Sequence, residues 1–109
     1  MKSKPTILPQ IQALARHIAR EVSPRRIILF GSHARGQAGP DSDVDLLVVT
    51  DRPQDHDASL NLRRKIEYSF PLDLIVCDAR RLKQRIKAGD FFLQDAVQFG
   101  KVLYERPDR

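Results

Sequence analysis

The sequence predicts an α/β (α+β) fold, a small mixed sheet flanked by helices, on three observations. Runs of β-branched and aliphatic residues alternate with stretches whose apolar residues recur every three or four positions. One of those runs, Val44 to Thr50, is apolar almost without interruption, as expected of a strand covered on both faces. The 109 residues are 41% hydrophobic, about 45 apolar side chains. That is enough for one core burying roughly 65% of the unfolded surface, and a single domain over residues 1–109 is expected.

From Thr6 to Val22 the residues Ile7, Leu8, Ile11, Leu14, Ala15, Ile18, Ala19 and Val22 fall on one stripe of an amphipathic helix. Ser23-Pro24 ends it, because proline disfavours helical geometry in the residue before it. Arg25 to Phe30 reads as a strand halted by Gly31, and Val44 to Thr50 as a second strand. Asp51 to Asp57 is a polar connection containing Pro53. A helix is then expected over Ala58 to Ser69, with Asp57 as N-cap and Leu62 and Ile66 turned inward. Pro71 breaks it, and Leu72 to Cys77 reads as a third strand. Asp78 can cap a short basic helix that runs through Lys87 and stops at Gly89. Asp90 opens another helix carrying Phe92, Ala96 and Phe99, and Lys101 to Tyr104 reads as a short final strand. The ends, Met1 to Pro5 and Arg106 to Arg109, are expected to be mobile.

Composition removes several function classes. The lone cysteine, Cys77, forms neither an intrachain disulfide nor a cysteine-based zinc site, and reads as a small buried hydrophobe. No apolar run approaches the ~20 residues that span a bilayer, and no signal-peptide core is visible, so a cytoplasmic protein without membrane contact is expected. Nineteen Lys and Arg against fourteen Asp and Glu leave a formal charge of +5 and a pI near 9.8. This balance favours anionic partners such as nucleotides, nucleic acids or an acidic protein.

The chemistry concentrates between the first two strands, in Gly31-Ser32-His33-Ala34-Arg35-Gly36 and Ser42-Asp43-Val44-Asp45-Leu46. Gly31 and Gly36 have the glycine spacing of a P-loop, but Gln37 and Ala38 stand where its lysine and hydroxyl belong. A dinucleotide G-x-G-x-x-G is also missing. What remains is a strand ending in Gly-Ser, a loop, and a strand opening with Asp-x-Asp. Alternation along a strand sets Asp43 and Asp45 on one face with Val44 opposite. Two carboxylates so close repel unless a cation or proton intervenes, and Mg²⁺ takes one or two carboxylates plus water and substrate phosphates. Gly31 would let a phosphate approach the backbone, with the Ser32 hydroxyl and N–H beside it. A third carboxylate, Asp73, interrupts the apolar third strand, where a charge is costly unless paired or metal-bound. If the third strand neighbours the second, the three carboxylates converge and can hold two metal ions about 3.5–4 Å apart.

Gly31-Ser32, ten residues, then Asp43-Val44-Asp45 resembles the GS-x10-DxD signature of the DNA polymerase β nucleotidyltransferase superfamily. The fuller string resembles its minimal nucleotidyltransferase (MNT) branch, whose members are often encoded as antitoxins beside a helical HEPN ribonuclease toxin. The motifs cover residues 31–46 and Asp73, and the element order fits nearly the whole chain. The resemblance implies the polymerase β-type fold and a Mg²⁺-dependent transferase with two ions. Gly31 and Ser32 would hold the β- and γ-phosphates of ATP or another nucleoside triphosphate. Asp43 and Asp45 would bind both metals, and Asp73 would complete the site and help deprotonate the acceptor hydroxyl. The acceptor would be a tyrosine of a HEPN toxin. With little chain beyond the core, a partner protein or a homo-oligomer would supply acceptor recognition.

Other readings stand beside these. Arg35 is either a triphosphate or partner contact or a structural bond to a carboxylate. His33 occupies the motif's variable position and reads as solvent-facing, and His17 and His56 have no assigned role. Arg80, Arg81, Lys83, Arg85 and Lys87 form a basic run around the inward Leu82 and Ile86, read first as a solvated face and otherwise as a surface for RNA or an acidic partner. RNA binding is disfavoured, since Tyr68 and Tyr104 are too isolated to build a stacking platform. The alternative function is a non-catalytic antitoxin that neutralises its partner by contact.

Overall fold

The computed structural model describes residues 7–39 and 41–107. Helix α1 (Leu8–Val22) starts with Pro9 in its first turn and ends where Ser23 turns left-handed, its N–H donating to the Ala19 carbonyl. The stripe read from the sequence is the buried one: Ile11, Leu14, Ala15 and Ile18 are inside. Thr6 and Met1 to Pro5, with residues 108–109, lie outside the described residues.

Strands β1 (Arg26–Phe30), β2 (Val44–Thr50), β3 (Leu72–Asp78) and β4 (Lys101–Glu105) form one mixed sheet in the order β3-β2-β1-β4. β1 is antiparallel to β2 and β4, and β2 is parallel to β3. Alternation sorts the strand residues into two cores. Ile27, Leu29, Val44, Leu46, Val48, Leu72 and Leu74 meet α1 on one face. Ile28, Phe30, Leu47, Val49 and Cys77 meet α4 (Ala79–Lys87) and α5 (Phe91–Phe99) on the other. β2 is therefore covered on both sides, as its unbroken apolar run requires.

Asp78 and Asp90 cap α4 and α5, accepting from the N–H groups of Arg81 (2.9 Å) and Leu93 (3.0 Å). Gly89 turns the chain between them at φ +99°. Helix α3 is shorter than the sequence predicts: it spans Ala58–Arg63, and Asp57 makes no side-chain cap. Leu62 is its single buried residue, too little packing to propagate a short uncapped helix, although Ile66 still turns inward beyond its end. In α5 the inward residues are Leu93 and Ala96, while Phe92 and Phe99 remain more than half exposed. Phe92 stands edge-on to Phe30, centroids 5.2 Å apart. Arg106, expected in a mobile end, is tied down: its N–H donates to the Arg25 carbonyl and its guanidinium pairs with Asp51. Among the described residues no helix is long and apolar enough to cross a membrane.

Candidate active site

The parallel pairing of β2 and β3 builds the site. Asp45 stands directly opposite Asp73 in that ladder and opposite Phe30 in the antiparallel one. Their neighbours Val44, Leu46, Leu72 and Leu74 all point into the α1 core, so Asp45 and Asp73 share the other face of the sheet. Asp43 lies one residue before β2 on exposed chain rather than on the strand, close enough for its charge to act on Asp45. Asp73 is exposed at the start of edge strand β3. The burial cost read for it from the sequence is therefore not what places it, because the strand opens to solvent there.

Asp45 is the half-buried member. Burial, then the charges of Asp73 and Asp43, push its carboxyl above the ordinary carboxylate value, while His33 pulls it back. His33 is not solvent-facing: it is half-buried and its Nε2 lies 3.3 Å from the Ser42 carbonyl, bridging the two motif segments. Its place directly after Gly31-Ser32 was the available signal.

Gly31 has φ +76° and opens α2 (Ser32–Arg35). A Cβ there would overlap the Asp45 carboxylate, sitting 3.2 Å from its Cγ and closer still to Oδ2. The glycine thus makes room first for Asp45, where the sequence reading assigned that space to a phosphate. Ser32, half-buried, begins the single turn that follows. Arg35, at the end of α2, pairs with Asp95 of α5 at 2.6 Å, the carboxylate bond that was one of its two readings. Cys77 is buried, and burial followed by the Asp78 charge pushes its thiol up. The basic residues of α4 are exposed, and among the described residues only Arg85 of them is ion-paired, to Asp90 at 2.8 Å.

Oxygen donors that repel one another suit a hard divalent cation, which would relieve the charge crowding at Asp45. Among the described residues no three His, Cys, Asp or Glu side chains form a ready-made metal cage.

The model of the nucleotidyltransferase domain family matches residues 11–101. A Methanocaldococcus jannaschii protein provisionally designated a protein adenylyltransferase is 32% identical over 80 residues, covering 73% of this chain and 78% of its own. The fold also matches a provisionally designated nucleotidyltransferase from Sulfolobus solfataricus, with a TM-score of 0.62, 27% identity, and 96% and 91% of the two chains covered. A tri-AMPylated Shewanella oneidensis HEPN toxin in complex with its MNT antitoxin supplies a further match, with a TM-score of 0.53, 25% identity, and coverage of 90% and 69%. The Gly-Ser turn, the paired strand carboxylates and these likenesses agree, and the chain belongs to the nucleotidyltransferase domain family and is a nucleotidyltransferase.

Proposed function

We propose that this chain transfers AMP from ATP to a tyrosine hydroxyl of a HEPN-type partner toxin, using Mg²⁺, and so acts as an antitoxin. The observation that carries the reading is the in-register pairing of Asp45 with Asp73, with Asp43 close by and Gly31 opening space for the Asp45 carboxylate. The family generally uses divalent metal ions, and the likeness to an adenylyltransferase and to an MNT antitoxin supports nucleotide transfer to a protein.

In this mechanism Asp43 and Asp45, with Asp73 completing the site, would hold the metal, with two ions expected when nucleotide is bound. When bound, the cation would supply neutralisation of the triphosphate charge and acidification of the acceptor hydroxyl. The Gly31-Ser32 turn receives the β- and γ-phosphates, the Ser32 hydroxyl donating to a phosphate oxygen. Asp73, on the open edge, takes the proton of the incoming hydroxyl. The acceptor oxygen forms a bond to the α-phosphorus as the bond to the β-phosphate bridging oxygen breaks, and pyrophosphate leaves. Arg35 contacts the triphosphate only if it exchanges its Asp95 bond for phosphate.

The test is label transfer from α-labelled ATP to the cognate partner, with and without Mg²⁺. Asp43→Asn and Asp45→Asn keep side-chain shape but remove the charge that holds the cation, so transfer should fall by orders of magnitude. Partner capture should persist, and growth rescue should be lost with transfer. Full rescue by both variants without label transfer would make the chain a contact antitoxin and refute the enzymatic reading.

A further inference from the structure

Helix α4 carries Arg80, Arg81, Lys83, Arg85 and Lys87, all exposed. Arg85 pairs with Asp90, while the other four have no ion-pair partner among the described residues. Arg80, Lys83 and Lys87 are spaced i, i+3, i+7, so they form one stripe about 10 Å long. With Gln84 and half-buried Ile86 they line an open groove of about 630 Å³. α4 starts at the β3 end far from Asp73 and packs on β3 and β2 over the sheet face that also carries Asp45 and Asp73.

We infer that this groove docks an acidic amphipathic helix of the protein acceptor, its carboxylates on Arg80, Lys83 and Lys87 and an apolar side chain on Ile86. The inference rests on the protein-acceptor reading above and names the surface and chemistry that reading leaves open. Charge complementarity selects an acidic occupant, since the three unpaired cations of the groove, Arg80, Lys83 and Lys87, repel one another until an anion separates them. The apolar floor selects protein over RNA. A phosphate backbone buries no apolar surface on Ile86, and no aromatic side chain lines the groove for a base to stack on. A partner held there lies on the same sheet face as the carboxylates.

The test measures fluorescence anisotropy of a labelled helical peptide with a leucine stripe flanked by glutamates, titrated with the whole chain at physiological ionic strength without nucleotide. A peptide with lysines for the glutamates and a single-stranded RNA are the comparisons. The acidic peptide should bind best. Its affinity should fall about tenfold or more for Lys83→Glu/Lys87→Glu and several-fold for Ile86→Ala, with ATP affinity unchanged in both. Failure of the acidic peptide to bind, indifference to the charge reversal, or tighter binding of RNA through the same lysines would each overturn the inference. The two readings fail separately. Peptide binding without label transfer to any protein removes the transferase reading and leaves the surface, whereas unchanged KM for the protein acceptor in Lys83→Glu/Lys87→Glu removes the surface and leaves the transferase.

Discussion

Replacing Gly31 with alanine tests whether this glycine serves the fold or the carboxylate beside it. Gly31 and Gly36 flank α2 at similar φ, +76° and +72°, but at ψ −154° and +21°, so Gly36 is left-handed while Gly31 sits in a region essentially reserved for glycine. A Cβ at Gly36 meets nothing within 4 Å, whereas one at Gly31 overlaps Asp45. Gly36→Ala carries the left-handed penalty of about 1–2 kcal/mol, and Gly31→Ala the larger one, about 1–3 kcal/mol or more, of a side chain in a glycine-only region. Gly31→Ala alone must also push the Asp45 carboxylate aside by about 1 Å to restore a normal contact. That carboxylate is a side-chain end that can rotate, so the extra loss should appear in chemistry more than in stability. A displacement of this size in a reacting group costs about 10²-fold in rate. Urea unfolding should therefore give Gly31→Ala the lower midpoint, while label transfer measured without denaturant should fall about 100-fold or more for Gly31→Ala and stay near wild type for Gly36→Ala. Equal transfer by the two alanine variants would refute the claim that Gly31 exists to seat Asp45.

Two further outcomes follow from the same geometry. Asp45 has its pKa raised by burial and by Asp73 and Asp43, so over the interval above the ordinary value of 3.8 the metal-free native chain keeps a proton that the unfolded chain releases. The stability this contributes is fully present below that value and is lost as pH rises through the native titration. Asp45→Asn should flatten the pH dependence of the urea midpoint in that interval and match or exceed wild-type stability at neutral pH; an unchanged profile would contradict the assigned crowding. The Arg35–Asp95 pair is partly exposed at both ends, so Arg35→Ala and Asp95→Ala should each cost about 0.2–1 kcal/mol in stability. Their ATP KM values separate the two readings of Arg35: a rise for Arg35→Ala without one for Asp95→Ala marks a triphosphate contact, and unchanged values for both mark a structural bond.

Periodicity exposed most of the fold because each element obeys one rule. The α1 stripe and both faces of β2 are buried as their patterns require. Asp78 and Asp90 cap the helices they precede. Helix α3 was less legible, because the apolar spacing of Leu62 and Ile66 continues past the point where hydrogen-bonded turns stop. For α5 the sequence marks Phe92, Ala96 and Phe99 on the helix but not which flank meets the sheet, since aromatic identity does not reveal it. His33 was missed because its environment depends on the return of Ser42, nine residues later, to its ring.

The convergence of Asp45 and Asp73 was conditional in the sequence and is decided by topology. Twenty-eight positions separate the two aspartates, and no local pattern says whether their strands are neighbours. The parallel connection does, because it returns the chain to the starting end of β2, and the apolar partners then exclude any register shifted by one. Leu72 and Leu74 must enter the same core as Val44 and Leu46, which sets Asp45 and Asp73 on the other face, and in the ladder Val44 pairs with Leu72, Leu46 with Leu74, and Asp45 with Asp73 between them. A slip by one residue would bury Asp73 against α1 and expose both leucines. The hydrophobic register therefore holds the two carboxylates together against their own repulsion, with Gly31 giving the half-buried one its space.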